Sequence, residues 1–308
     1  MSPVGSHNGL VLDLLHDQTL LLSCLCLPRC AEVKYRHVPK LGTRPRDSLF
    51  TSCLKHTPFI IKMFDIVIPV GPADISICRD QLDYTKKNII GYRSIFLISC
   101  DPTLQVEGCT TIPEDIFPFT MKTIETILGK HTRNGWYLQQ LLKLYAGIVI
   151  PSILGRYLVI DCDTFFLKPT TFIKGDVPLY NYSEEYYSAY FKHMKRLHPS
   201  LKRINRAMSG ICHHMMFETA RVKDLFRLIE NGIPFYRLFL EHVTDAGGSG
   251  ASEYEIYFNY MLLYHPSKIR IRPLKWANVS SIADNLDKNY DYVSSHSDMR
   301  TFHLPLKN

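Results

Sequence analysis

From residue 64 onward the chain alternates short, almost purely apolar runs with longer segments whose apolar residues recur every three to four positions. "FDIVIPV" (64–70) reads as a buried strand and "ADISICRDQLDYTKKN" (73–88) as a helix. "SIFLIS" (94–99) is a second strand, and "IPEDIFPFTMKTIETILG" holds a short extended piece followed by a helix. "GWYLQQLLKLYAGIVIP" has helical spacing, and "RYLVID" closes the series as another buried strand. Strands separated by helices predict an α/β domain with a mainly parallel sheet covered on both faces. Nearer the end, "HHMMFETARVKDLFRLIEN" and "SEYEIYFNYMLLYH" read as further helices, separated by the short loop "DAGGSGASE".

Residues 1–62 break this rhythm. They have no sustained period, several Pro and Arg residues, and Cys24, Cys26 and Cys30 close together. The ordered fold is therefore expected to begin near Met63, itself a candidate functional start. Two units follow: an atypical N-terminal extension (1–62) and the α/β domain (63–308). The apolar stretch 10–28 is interrupted by Asp13, His16 and Asp17 and lacks a basic start, so it reads as neither a membrane span nor a signal peptide.

Composition adds boundaries rather than an answer. The 308 residues are 46% hydrophobic and 21% charged, enough for one large core. Residues 1–62 carry +4 of the formal +7 charge. The mildly basic body suits an acidic small substrate and not a nucleic-acid groove. Nine cysteines without a CxxC pair fit free thiols in a reducing, cytoplasmic setting, and two sequons (Asn181, Asn278) would matter only in a luminal one. The basic run 191–206 reads as a solvated face, with a diphosphate or an anionic acceptor as the alternative partner.

The chemistry concentrates in "YLVIDCDTFFLKP" (157–169), where a buried strand runs into Asp161 and Asp163. In strand geometry i and i+2 share a face, so the two carboxylates would converge while Cys162 turned away. Their mutual repulsion is relieved by a divalent cation, and oxygen ligands suit Mg²⁺ or Mn²⁺ bound together with substrate phosphates. A phosphatase of the haloacid dehalogenase type needs Thr or Val at the fifth position of its D-x-D-x-T/V, where this chain has Phe165. A nucleotidyltransferase needs a glycine-rich basic loop after the first strand, and "VGPADISICRD" has one Gly and no immediate basic residue.

With this D-x-D the chain resembles the GT-A glycosyltransferases. It looks closer still to an uncharacterised glycosyltransferase-like group of bacteria and large DNA viruses, through "FDIVIPVGPADI", "RNGWYLQQLLKLYA", "YLVIDCDTFFLKP", "CHHMMFE", "SEYEIYFNYM" and "VSSHSDMR". The resemblance spans about 64–300. It implies a GT-A-like, Rossmann-type sheet and a UDP- or GDP-linked sugar donor. It also implies Mn²⁺ or Mg²⁺ on Asp161 and Asp163, and a glycan, lipid or protein hydroxyl as acceptor. Pro69, Val70, Gly71 and Asp74 would cup the nucleotide, with Asp161 touching it through the metal. His296 would add a ligand, with His303 as the substitute.

Other roles follow from residue type. Arg133, Gln140 and Lys143 are candidate donors to the diphosphate, while Trp136 and Tyr137 suit the core equally well. An inverting transfer needs a carboxylate base. Ser252 and Glu255 fit a capping box, which leaves Glu253 as the base candidate and Asp245 as second choice. The doublet His213–His214 cannot face one way in a strand, so one is expected at the site and the other in the structure. Two other function classes stay open: a non-catalytic sugar or sugar-nucleotide binding protein, and a metal-dependent phosphate hydrolase.

Overall fold

The computed structural model describes residues 64–300. The extension 1–62, its clustered cysteines, the stretch 10–28 and His303 lie outside the described residues. In chain order the first half is β1 (Phe64–Val70), α1 (Ile75–Asn88), β2 (Ile89–Ile90), β3 (Tyr92–Ser99), β4 (Thr110–Pro113), α2 (Met121–Leu128), α3 (Asn134–Val149) and β5 (Arg156–Ile160). Next come β6 (Thr164–Phe166), β7 (Thr170–Thr171), β8 (Ile173–Lys174), β9 (Val177–Tyr180), α4 (Ser188–Leu197), β10 (His214–Glu218) and α5 (Thr219–Ile229). The last elements are α6 (Phe235–Glu241), α7 (Glu253–Tyr264), β11 (Arg270–Ile271), β12 (Trp276–Asn278) and β13 (Tyr292–Ser294).

The main sheet has the order β10-β5-β1-β3-β4, parallel except for the antiparallel edge strand β10. This is the expected mainly parallel α/β sheet. Its inner strands are apolar on both faces because helices cover both. Val67, Tyr157, Val159 and Phe217 pack toward α3, α5 and α7, while Ile66, Ile68, Leu158 and Ile160 pack toward α1. Asp65, the one charge inside β1, is fully buried. It accepts hydrogen bonds from Arg93 and from the Ser94 and Leu154 amides.

The order of the strands locates the site. The chain runs outward from β1 to β3 and β4, then returns to the opposite side of β1 as β5. The direction of winding reverses between β1 and β5, and the crevice at their carboxyl ends is where open α/β sheets bind ligands. A second, smaller sheet, β12-β13-β6, begins immediately after the D-x-D and is bonded to Asp163 through Ser294 and Ser295.

One expectation needs correction. "HMMFE" is not the start of a helix but strand β10, and only 219–229 is helical. The segment is buried along most of its length against β5, and so short a run has no decisive period. The basic run 191–206 is the polar side of α4 and the loop after it, whose His193, Met194, Leu197 and Leu201 are buried.

Candidate active site at the ends of β1 and β5

Strand geometry ends at Ile160. Asp161 to Thr164 form a tight turn closed by the Thr164 amide donating to the Asp161 carbonyl at 2.9 Å. Cys162, at the turn's centre, points into the core near Cys78 and is 1% exposed. The two carboxylates are recessed, with side-chain exposures of 17% and 15%.

Asp161 is held from three sides. Lys143 Nζ lies 2.5 Å and the Tyr254 hydroxyl 2.7 Å from Oδ1, and His213 Nδ1 lies 3.8 Å from Oδ2. Burial alone would raise this carboxyl, but Lys143 and His213 outweigh it and hold the group well below the usual carboxylate range. His213 reaches the site because it adopts φ 59°, a left-handed conformation uncommon for a residue with a side chain. Its backbone carbonyl accepts the Asp161 amide at 2.9 Å. His214 faces the other way, among the rings of Phe166, Phe172 and Tyr292.

Asp163 meets a different set. His296 Nδ1 lies 3.0 Å from Oδ2, and the Ser294 hydroxyl donates to Oδ1 at 3.1 Å. Burial raises Asp163 and the neighbouring Asp161 adds to this, yet the His296 contact leaves it lowered. His296 rises in return, chiefly through its bond to Asp163. The His213 and His296 rings are 5.0 Å apart, so they tie the two carboxylates together. Asp74 adds a third acid. It is paired with Arg300 at 2.5 Å and is raised by burial and by the fields of Asp163 and Asp161.

Below Asp161 runs a buried ion pair. Lys143 Nζ, 2% exposed as a residue, also donates to Glu253 Oε1 at 2.7 Å and lies 4.5 Å above the Tyr254 ring. Burial opposes the charge on Lys143, but its two carboxylate neighbours raise its pKa. Gln140 is fully buried, and its Oε1 accepts the Glu253 amide at 3.0 Å, which satisfies one orphan donor of α7. Half of the expected capping box is present. Ser252 Oγ accepts the Glu255 amide at 3.2 Å, while the Glu255 carboxylate turns inward to Ser209 and Asn259.

Asp74, Lys143, Asp161, Asp163, Glu253 and His296 are therefore gathered at one place, beside the buried strand end formed by Pro69, Val70 and the half-buried Gly71. Arg133 and Asp245 are not. Arg133 caps the start of α3, ten residues from Lys143 and so about 15 Å along the helix, where it binds Ser249 Oγ and stacks on Trp136. Asp245 lies on the neighbouring glycine loop, with its carbonyl accepting the Tyr137 hydroxyl. Tyr254, Ser294 and Arg300 also belong to the site. Nothing in their spacing marks them; they are brought there by long-range packing.

Among the described residues, no group of three or more His, Cys, Asp or Glu side chains makes a ready metal cage. The donor chemistry nevertheless suits an open site. Asp163 Oδ2 and His296 Nδ1 are 3.0 Å apart. Adjacent ligands around an octahedral ion with bonds of about 2.1 Å are separated by about 3 Å.

No family model matches the chain, and no curated protein matches it. Among solved structures it is similar to the apo form of mouse xyloside xylosyltransferase 1. The match has 11% identity and a TM-score of 0.41, and covers 77% of this chain and 99% of that one. At that level it decides nothing about activity. Among the described residues, no helix is long and apolar enough to cross a membrane.

Proposed function

We propose that the chain is a metal-dependent glycosyltransferase that moves a sugar from a nucleoside-diphosphate donor to a hydroxyl acceptor. The observation that carries this reading is the recessed Asp161–Asp163–His296 set at the reversal point of a parallel sheet. Two carboxylates and an imidazole fit Mn²⁺, and Mg²⁺ less well. Asp163 and His296 would hold the ion, with Asp161 Oδ2 beside them, and the donor's phosphates would complete its shell. When bound, such an ion would neutralise charge on the leaving diphosphate.

The protein's own contribution is charge and position. Lys143 keeps Asp161 ionised and fixed, and Glu253 keeps Lys143 in place. In this arrangement Glu253 serves as the anchor of the lysine and not as an exposed base. Asp74 and Gly71 would line the donor's side of the crevice, where the turn after β1 leaves backbone accessible. In the transfer, the bond from the anomeric carbon to the diphosphate oxygen breaks, the acceptor oxygen bonds to that carbon, and the acceptor's proton is released.

The test is release of nucleoside diphosphate from a set of UDP- and GDP-sugars, with and without Mn²⁺, in the natural sequence and in Asp163→Asn. Mn²⁺-dependent release that the substitution abolishes supports the reading. Tight binding of a sugar nucleotide without any release would make the chain a binding protein instead. Release of inorganic phosphate would make it a hydrolase.

A further inference from the structure

An open cleft of about 570 Å³ lies between two segments, 182–185 and 273–276. Trp276 forms part of its wall, and the small sheet ties that wall to the site. Trp276 pairs in register with Tyr292, which pairs with Phe166, three residues beyond Asp163. The indole stacks on the Tyr292 ring at 5.7 Å with 8° between planes, and meets the His213 ring edge-on at 5.0 Å. His213 in turn faces Asp161. The cleft wall is thus linked to the D-x-D through the Trp276 and His213 rings.

The opposite wall carries Glu184 and Glu185, both exposed, and among the described residues Lys275 is the only cation lining the cleft. A net negative lining disfavours a second diphosphate. It suits a neutral ligand rich in hydroxyls, because ionised carboxylates only accept hydrogen bonds and hydroxyls donate them. An aromatic wall with a few polar groups opposite is the composition expected of a site for a small amphipathic ring. The wall segment continues into Tyr186 and Tyr187, 63% and 45% exposed. Arg203 lies 5.1 Å from the Tyr186 ring, so this tyrosine is held in place on the surface.

We propose that this cleft is the acceptor site: it binds a neutral glycoside ring against Trp276, with its hydroxyls on Glu184 and Glu185. The role as acceptor rests on the transferase reading above; the affinity for a glycoside does not. Tyr186 and Tyr187 extend the same surface toward a second ring.

The chain has two tryptophans, so Trp136→Phe leaves Trp276 as its only indole. Emission of that full-length variant is titrated with methyl hexosides, methyl pentosides and simple disaccharides. At least one gives a saturable change, and adding E184Q and E185Q weakens its binding about tenfold or more, as loss of charge-assisted hydrogen bonds implies. Where transfer to that glycoside is measured, Trp276→Ala raises the acceptor KM more than it lowers kcat, and Trp276→Phe recovers most of the loss.

No saturable response to any glycoside overturns the assignment, as does a response that the two Gln substitutions leave unchanged. A response to UDP or GDP alone would give the cleft to the donor and also overturn it. A glycoside response without any sugar-nucleotide turnover would refute the transferase and leave the carbohydrate site standing. Turnover with a silent Trp276 would do the reverse.

Discussion

Replacing Lys143 with Met should be among the most damaging single changes in the domain, and damaging in a way that acid partly repairs. The ammonium has 3% side-chain exposure and lies between Asp161 and Glu253 at 2.5 and 2.7 Å. Met fills a similar volume, so packing changes little, but two recessed carboxylates lose their counter-charge at once. Removing one partner of a buried pair costs roughly 3–5 kcal/mol. For a domain of this size that lowers Tm by roughly 6–20 °C.

The pH dependence separates this mechanism from a simple packing defect. In the natural sequence Asp161 is depressed, so its contribution is complete above the unfolded carboxylate value and is lost as pH falls through the folded one. In Lys143→Met the lowering influence is gone, and burial together with mutual repulsion raises both carboxyl groups above their unfolded values of about 4. The variant must then lose stability as pH rises and regain it as pH falls toward 5. Urea midpoints of the two proteins, measured in parallel from pH 7.5 to 5, should converge. Adding E253Q to the variant should recover part of the loss at pH 7.5. A deficit under about 1 kcal/mol, or one that stays constant across this range, would refute the buried triad as described.

His193 is buried, donates through Nε2 to the Phe239 carbonyl, and is pushed down to about 4, chiefly by burial. The unfolded chain takes up this proton first, so stability is full above about pH 6.5, falls by roughly 3 kcal/mol toward pH 4, and then levels. His193→Gln should flatten that part of a denaturation series. Gly147→Ala should destabilise by about 1–3 kcal/mol although alanine favours helices, because the new methyl would collide with Tyr157 and Thr219. A lower thermal midpoint checks it. Ser252→Ala should cost about 1 kcal/mol, the usual worth of an N-cap, read from the same midpoint.

The elements most visible in the sequence are those whose pattern is local. "FDIVIPV" coincides with β1 because both faces of that strand are covered, which leaves the paired Asp65 as the run's only polar residue. The helix expected at 73–88 differs from α1 only in its first turn, a 3₁₀ segment at Pro72–Asp74. β10 was hidden because a five-residue strand with only three apolar residues, Met215 to Phe217, has no period of its own, and the helical pattern of α5 follows it without a break. β12 and β13 contain three residues each, too few to show a period, yet they carry Trp276 and Ser294 to the site.

The same distinction divides the site. Asp161 and Asp163 are legible because two acids after a buried strand are costly unless something neutralises them. What neutralises Asp161 is not legible. Lys143 lies inside the apolar pattern of α3, and its partner Glu253 is 110 residues away. Helical spacing alone gives Lys143 a free end that could reach a substrate, and only the packing of α3 against α7 shows that end occupied from both sides. A lysine bound between two carboxylates fixes the charge state of Asp161 and keeps only one of its three N–H donors uncommitted to a carboxylate, with the Tyr254 ring 4.5 Å from its Nζ. On the reading proposed above, Asp163 and His296 would hold the cation that meets the diphosphate, so Asp163→Asn tests that reading more directly than any substitution at Lys143.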